Sequence, residues 1–431
     1  MLFIASVLLL LMHNARRSFL SKTARTFLTM TDLSNDRNTI RIGFTGDVMI
    51  GRGIDAILPA SVNGELHEGY VKHANGYVNL AIRENGPLPL DELQTKGSAY
   101  IWGDVLPELR SAADCLIINL ETSLTTSDDW ARDKGINYRA HPLNVDSLTV
   151  AGVTVATLAN NHVLDWGDAG LKETLRTLEG ANIMYAGAGH TIEEAMAPAI
   201  VTVKVPGESK ETARISVVAI GFPSAGVPGH WRAKRNKCGV YTESDINLST
   251  AKAIVDNLKT RNAATDTPPG GGTGSNDDRI NVVSLHWGSN WGWGTPDSWR
   301  QFAHSLIDEG ADVVVGHSSH HVKGIEVYKG KMIAYGMGDF LNDYEGIVGQ
   351  GYEDFRNDLS CLYVPRIKTN GEVVEINIIP CKIKHLKVQR ATDPADIEWL
   401  RSALSQEGRA LDTSCETSID SSGKVNLKLL W

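Results

Sequence analysis

Cysteine is scarce here: five residues in 431, widely spaced and without a C-x-x-C pair. So scattered and odd a set excludes a disulfide framework and a structural zinc knuckle. Cys115, inside the apolar run DCLIINL, reads as a small buried hydrophobe. Positive charge is also short. The formal net charge is −9 and no basic block stands out in the body of the chain, so the face that would displace counterions from nucleic acid is missing. No apolar run approaches the ~20 residues of a membrane-spanning helix. There is no G-x-S-x-G and no Ser-His or Cys-His nucleophile motif, and no internal repeat. What remains is a chain with 42% hydrophobic and 22% charged residues, enough to bury a real core. Its length suits one large domain with additions, or two domains.

The first 38 residues read apart from the rest. Residues 2–12 are apolar like the h-region of a signal peptide, but no basic segment precedes them, and the Arg- and Lys-bearing stretch HNARRSFLSKTARTF resembles a transit peptide. A leader, cleaved or anchoring, is expected. It implies secretion or membrane association, unless Met30 is the start and the protein is cytoplasmic.

From residue 39 to about 390, short β-rich runs alternate with helical patterns. IRIGFTG, DCLIINLE, VTVATLANN, RISVVAIGF, INVVSLHWG and ADVVVGHSSHH read as strands. DAGLKETLRTLEG carries Leu171, Leu175 and Leu178 on one helical face, with Gly180 as its stop. PDSWRQFAHSLIDEG aligns Trp299, Phe302, Ala303, Leu306 and Ile307, and Gly310 ends it. Strands separated by helices imply βαβ units and a parallel or mixed sheet. Residues 60–103 read as an irregular insertion, a lid over a sheet edge, and 265–279 as a flexible loop. Beyond residue 355 a hairpin is expected around Asn370-Gly371. Residues 391–431 read as a helix from 394 to about 407 followed by a polar tail.

The informative pattern is where polar residues fall. Asp47 follows GFTG; Asn119 and Glu121 follow CLII; Asn161 and His162 follow VATLA; His286 follows VVSL; His317 and His320 follow DVVVG. Each alone has a bland reading as a turn, cap or rim residue. Together they sit at the C-terminal ends of different strands, the edge where open α/β sheets bind ligands. Carboxylates, amide oxygens and imidazoles are also the donors that divalent metals take.

The stretches GDVMIGRG, NLETSLT, ANNHVLDWG, HWGSNW and GHSSHHVKGIEVYKGKMIAYGMGDF resemble the CapA family of capsule-synthesis proteins. That family is associated with poly-γ-glutamate and belongs to the calcineurin-like metallophosphoesterases. The resemblance implies an α/β fold, a four-layer αββα sandwich of two mixed β-sheets. It also implies one or two divalent metal ions (Mn, Fe, Zn or Mg) held by Asp47, Glu121, Asn161, His286, His317 and His320, with Glu121 bridging. His162 would protonate a leaving group while metal-activated water attacks. The pattern departs at Met49, where such enzymes carry a ligand His, and in the closing Gly-His-Ser-Ser-His-His, which leaves open which of His317, His320 and His321 face the site.

Asp165 is expected either to orient His162 or to cap the next helix. Arg52 is expected either to contact an anionic substrate or to be a surface residue in a turn. Asn119, Trp291 and His321 are further candidates for substrate contact, Trp291 as a flat wall. The expected partner is a small-molecule or polyanionic polymer substrate, and a membrane-associated biosynthetic assembly is a second. Three functions fit: a metal-dependent phosphoesterase, a non-catalytic metal-containing component of polymer synthesis or export, and a γ-glutamyl amide hydrolase or transferase on the same centre.

Overall fold

The computed structural model describes residues 38–206, 212–265, 279–347 and 351–431. The leader and most of the expected flexible loop lie outside them. The chain enters through β1 (Thr39–Val48), followed by the one-and-a-half-turn α1 (Arg52–Ile57). Residues 60–103, expected to be irregular, instead contain α2 (Asn75–Asn85) and further short helical segments. They cover a sheet face: Ala81, Tyr100, Ile101 and Trp102 are buried in one apolar cluster with Leu116, Ile118 and Leu120. Short helices broken by Gly and Pro carry too little periodicity to be read from sequence.

Strands β2 (Cys115–Leu120) and β3 (Val155–Thr157) add in parallel beside β1. Next, α3 (Gly167–Gly180) crosses to β4 (Met184–Ala186), also parallel. Leu171, Leu175 and Leu178 are fully buried on one stripe of α3, and truncating any one to Ala would cost ~2–5 kcal/mol.

The chain then builds a second sheet from β5 (Ala199–Lys204), β6 (Thr212–Gly221), β7 (Arg279–His286), β8 (Val313–His317) and the hairpin β9 (Ile325–Tyr328) and β10 (Lys331–Ala334). Between its strands lie α4 (Leu248–Thr265) and α5 (Asp297–Glu309). Gly310 ends α5 with φ 116°, a left-handed turn that a residue with a Cβ adopts only under strain. Trp299 is not full core as its stripe suggested; it is part-buried and stacks on Trp287 at 4.9 Å.

The last segment returns to the first sheet with β11 (Asp339–Leu341), β12 (Leu359–Lys368), β13 (Val373–Ile383) and β14 (Val388–Arg390). The hairpin around Asn370-Gly371 is present. After α6 (Pro394–Gly408) the expected polar tail is a strand pair, β15 (Ser414–Ile419) and β16 (Val425–Leu430), whose second member pairs with β13. Leu427 and Leu429 alternate inward there.

Both sheets are mixed. In the first, β1 is parallel to β2 and β11 but antiparallel to β12; in the second, β6, β7, β8 and β10 are parallel, flanked by antiparallel β5 and β9. Strand alternation sorts the core. Ile40, Ile42, Phe44, Cys115 and Ile117 of the first sheet share a cluster with Ile215, Val217, Val282, Val313 and Val315 of the second. The opposite faces pack against helices, Ile118 with Leu171 on one side and Val283 with Phe302 on the other.

Candidate metal centre

Register places the polar strand ends side by side. Asp47 is paired with Asn119 on β2 and with Asp339 on β11, while His286 is paired with His317. Asp47, Asn119, His286 and His317 sit where parallel strands end and Asp339 opens β11, so the trio and the pair collect at one rim of the two-sheet core. The approach of β1 to β11 is close: a Cβ on Gly46 would lie 1.9 Å from the Gly338 carbonyl oxygen. Only glycine fits there, and that lets Asp47 lie against Asp339.

Ligand atoms of Asp47, Glu121 and His286 lie within 4.8 Å of one another, all three residues buried. Asn161 Oδ1 is 3.0 Å from His286 Nε2, and Glu121 Oε1 is 3.8 Å from the same nitrogen. Asp47 is braced from three directions. Asn119 Nδ2 donates to its Oδ1 (2.8 Å), His317 Nδ1 lies 2.9 Å from that oxygen, and the Ser318 N–H donates to Oδ2 (3.1 Å). Ser318 reaches it through a left-handed backbone, φ 88°.

Burial pushes the Asp47 carboxyl up, but the His317 bond and nearby histidines prevail and hold it well below the usual carboxylate range. Glu121 goes the other way: burial, with the charges of Asp47 and Asp339, raises it well above its ordinary value. His286 falls to about 3 because it is buried, despite the pull of Asp47, and its Nδ1 has no hydrogen-bond partner among the described residues. Crowded carboxylates that repel, beside a half-satisfied imidazole, are the donor set a divalent cation stabilises. The residues fit such an ion.

His162 stands at the edge of this group with Nε2 4.0 Å from Glu121 Oε1. Its Nδ1 is 2.6 Å from Asp165 Oδ2, so the carboxylate accepts an Nδ1–H and leaves Nε2 facing the centre. The helix-cap alternative for Asp165 is excluded: α3 begins at Gly167 behind Trp166, and the Asp165 oxygens take the Tyr138 N–H (2.7 Å) and the Lys134 ammonium. The same ammonium donates to the Asn161 carbonyl and lies 3.3 Å from His162 Nδ1. Tyr138 stacks on the imidazole at 3.9 Å. Burial and the Lys134 charge push His162 down to about 4 against the pull of Asp165.

Asn160 shapes the turn: its Oδ1 accepts from the N–H groups of His162 and Val163, and its Nδ2 donates to Asn119 Oδ1. Asn119 itself, a candidate for substrate contact, is instead a buried brace between Asp47, Asn160 and Thr157.

Other candidates are placed differently from their sequence readings. Arg52 is no surface residue. It is buried, bonded to Asp343, to Glu68 (2.9 Å) and to the Tyr77 hydroxyl (2.7 Å), with the Tyr138 ring 4.8 Å from its guanidinium carbon. His320 sits beside the centre with Nδ1 on Asp339 (2.9 Å) and Nε2 2.9 Å from Asn290 Nδ2. His321 stands apart, buried among Trp291, Trp293 and Phe355. Trp291 lines a cleft with His320. Met49 is buried and its thioether accepts the Gly51 N–H (3.1 Å).

Sequence reasoning missed Asp339, Lys134, Tyr138 and Tyr344, whose hydroxyl lies 2.7 Å from that of Tyr138. One signal was available: Asp339 follows Gly338 as Asp47 follows Gly46.

The family model described as bacterial capsule synthesis protein PGA_cap matches residues 41–344. A probable polyglutamine synthesis accessory protein of Mycobacterium tuberculosis is 39% identical over 381 residues, 88% of this chain and 93% of that protein. The PGA biosynthesis protein CapA of Bacillus subtilis is 30% identical over 324 residues, 71% of this chain and 74% of its own. The capsule biosynthesis protein CapA of Bacillus anthracis is 28% identical over 314 residues, covering 72% and 68%.

Proposed function

The chain belongs to the bacterial capsule synthesis protein PGA_cap family, and from that premise we propose that it is a metal-dependent hydrolase of the metallophosphoesterase type. It acts on a phosphoester, in the assembly of a capsule-type polymer such as the names of its relatives describe. The observation that carries this is the pairing of two different devices at one rim: the buried Asp47, Glu121 and His286 group, and an imidazole held outside that group with one nitrogen directed at it. A site that only stored an ion would have no use for the second. The helix, sheet, sheet, helix layering supports the four-layer αββα sandwich such enzymes use.

Asp47, Glu121, Asn161 and His286 would hold the ion, with His317 and Asn119 fixing Asp47 from behind. A divalent cation supplies Lewis acidity, acidifying water and drawing charge from the attacked ester. His162 does its work at Nε2, because Asp165 keeps Nδ1 protonated. The ring enters neutral, pushed down by burial and Lys134. An arriving anionic substrate raises its proton affinity, and the proton taken at Nε2 is the one given to the leaving oxygen.

Metal content and turnover of a phosphoester panel, measured for wild type and His162→Ala, test this. The expected result is bound divalent metal in both and a loss of turnover of ~10²–10⁴-fold in the variant. A wild type that binds no divalent metal would overturn the proposal. Met49 favours a second reading, a non-catalytic metal-containing component of a membrane-associated assembly, since a thioether turned to the backbone removes one expected ligand. Metal bound in both proteins with no turnover by either would establish that reading instead.

A further inference from the structure

We propose that the hydroxyls of Tyr138 and Tyr344 act together as one hydrogen-bond donor, which holds a phosphoryl oxygen of the substrate between the candidate metal centre and the cleft beside it. The inference rests on the metallophosphoesterase reading and adds to it two substrate-binding residues outside the metal ligands and His162.

The cleft has a volume of about 830 Å³, and both tyrosines line it together with His320. Two arms of like construction meet there. In one, Asp165 holds His162 at Nδ1 (2.6 Å) and accepts the Tyr138 N–H (2.7 Å), while the Tyr138 ring stacks on the imidazole at 3.9 Å. In the other, Asp339 holds His320 at Nδ1 (2.9 Å) and accepts from Asn342 Nδ2 (2.7 Å). Asn342 Oδ1 takes the Tyr344 N–H (3.0 Å), and the Tyr344 ring meets His320 edge-on at 5.5 Å. The arms close where the two hydroxyls lie 2.7 Å apart. Each phenol is thus anchored, directly or through Asn342, on the carboxylate that orients the neighbouring imidazole.

The pair has one proton to spare. Two phenols carry two O–H protons, and the bond between them uses one. Among the described residues no protein acceptor takes the second. Phenols keep their protons in the neutral range, and burial pushes both of these further up. A hydroxyl that accepts one hydrogen bond donates its own more strongly, so the pair is a better donor than either phenol alone. Arg52 stands over both rings, its guanidinium carbon 4.8 Å from the Tyr138 centroid and 5.6 Å from that of Tyr344. A positive charge there draws density from the phenols and sharpens the donor.

The charged groups nearby are already engaged. Arg52, the sequence candidate for anion contact, is committed to Asp343 and Glu68. Arg356 holds Asp358 (2.7 Å) and Asp396 (2.6 Å), and Lys382 holds Asp396 (2.7 Å). His320 is bonded at both nitrogens, to Asp339 and to Asn290. A phosphoryl group whose one side meets the ion still turns an oxygen towards the cleft, and that oxygen needs a donor. A cationic side chain at that point would compete with the metal for Glu121 and Asp339; a phenol does not.

The test uses the full chain loaded with Mn²⁺, its uptake measured calorimetrically, and inorganic phosphate as the probe. Phe at both positions keeps the stacking on His162 and the contact with His320. The double variant Tyr138→Phe/Tyr344→Phe should take up Mn²⁺ as wild type does and bind phosphate ~10–100-fold more weakly, the range of a hydrogen bond to a charged group. Each single variant should lose no more than the double, the larger loss marking the hydroxyl that faces the anion; the singles decide where the double does not fold. Unchanged phosphate affinity with Mn²⁺ still bound overturns the inference and leaves the metal reading standing. A parallel loss of Mn²⁺ affinity overturns it too, since the pair would then only brace the centre. A wild type that takes up no Mn²⁺ sinks the metal reading; phosphate binding by that metal-free chain, lost in the double variant, would still support the pair, and no phosphate binding would overturn it.

Discussion

The candidate metal centre and the cleft beside it handle charge in opposite ways. At the centre Asp47, Glu121 and Asp339 crowd like charges together, and Glu121 is raised well above its ordinary value as a result. In the cleft every cation is matched by a carboxylate before any ligand arrives. The first region gathers like charge; the second is neutralised as folded. Removing a charge should therefore have opposite signs in the two places, and that contrast can be measured.

The largest effect is expected where a matched charge is deep. Arg52→Met leaves Asp343 and Glu68 buried without their partner and should cost ~3–5 kcal/mol in urea unfolding. A neutral result there would mean that the cleft's balance is not structural. Next comes the cation itself. Divalent metal at 100 times its dissociation constant should stabilise the chain by ~2.7 kcal/mol, seen as a chelator-reversible rise in Tm. Asp47→Asn should abolish that rise.

The sharpest comparison is Glu121→Gln. In chelator-treated protein it removes a like-charge clash, and unfolding should show a gain of ~0.5–2 kcal/mol, while metal affinity falls. Destabilisation of the chelator-treated protein would refute the picture of a centre strained by like charge.

The smallest effect is a pH dependence at the cleft's outer end. Burial pushes Asp396 up, but Lys382 and Arg356 outweigh it and hold the carboxyl below its ordinary value. A depressed value in the fold means that this contribution is complete above the unfolded pKa of about 4 and is lost as pH falls through the folded value. Between pH 4 and the acid transition, wild type should lose urea resistance faster than Asp396→Asn.

Much of this arrangement was legible in the sequence, for reasons that separate its parts. RISVVAIG and INVVSLH declare themselves as strands because apolar residues face both an inner and an outer layer, and their polar ends then stand out. Asp47, Glu121 and His286 were located by that contrast, and the family resemblance supplied their expected role as metal ligands. The 60–103 region and the β15–β16 pair were not, since short elements carry no sustained period. Lys134 lies in a loop where nothing marks it; what gives it meaning is Asp165, in contact only through the fold. Arg52 looked like a turn residue because its partners come from Glu68 and from Asp343, far along the chain. Pair interactions across such separations are written in three dimensions, not in local pattern.

The seam where Gly46 meets Gly338 has a consequence in time as well as in space. β1 is among the first segments to leave the ribosome, and β11, which docks on Asp47 in parallel, is among the last of the site-forming ones. Loop closure of this length is slow compared with local helix formation. For most of synthesis Asp47 therefore has no Asp339 beside it, and the full carboxylate charge of the rim is assembled only when β11 docks.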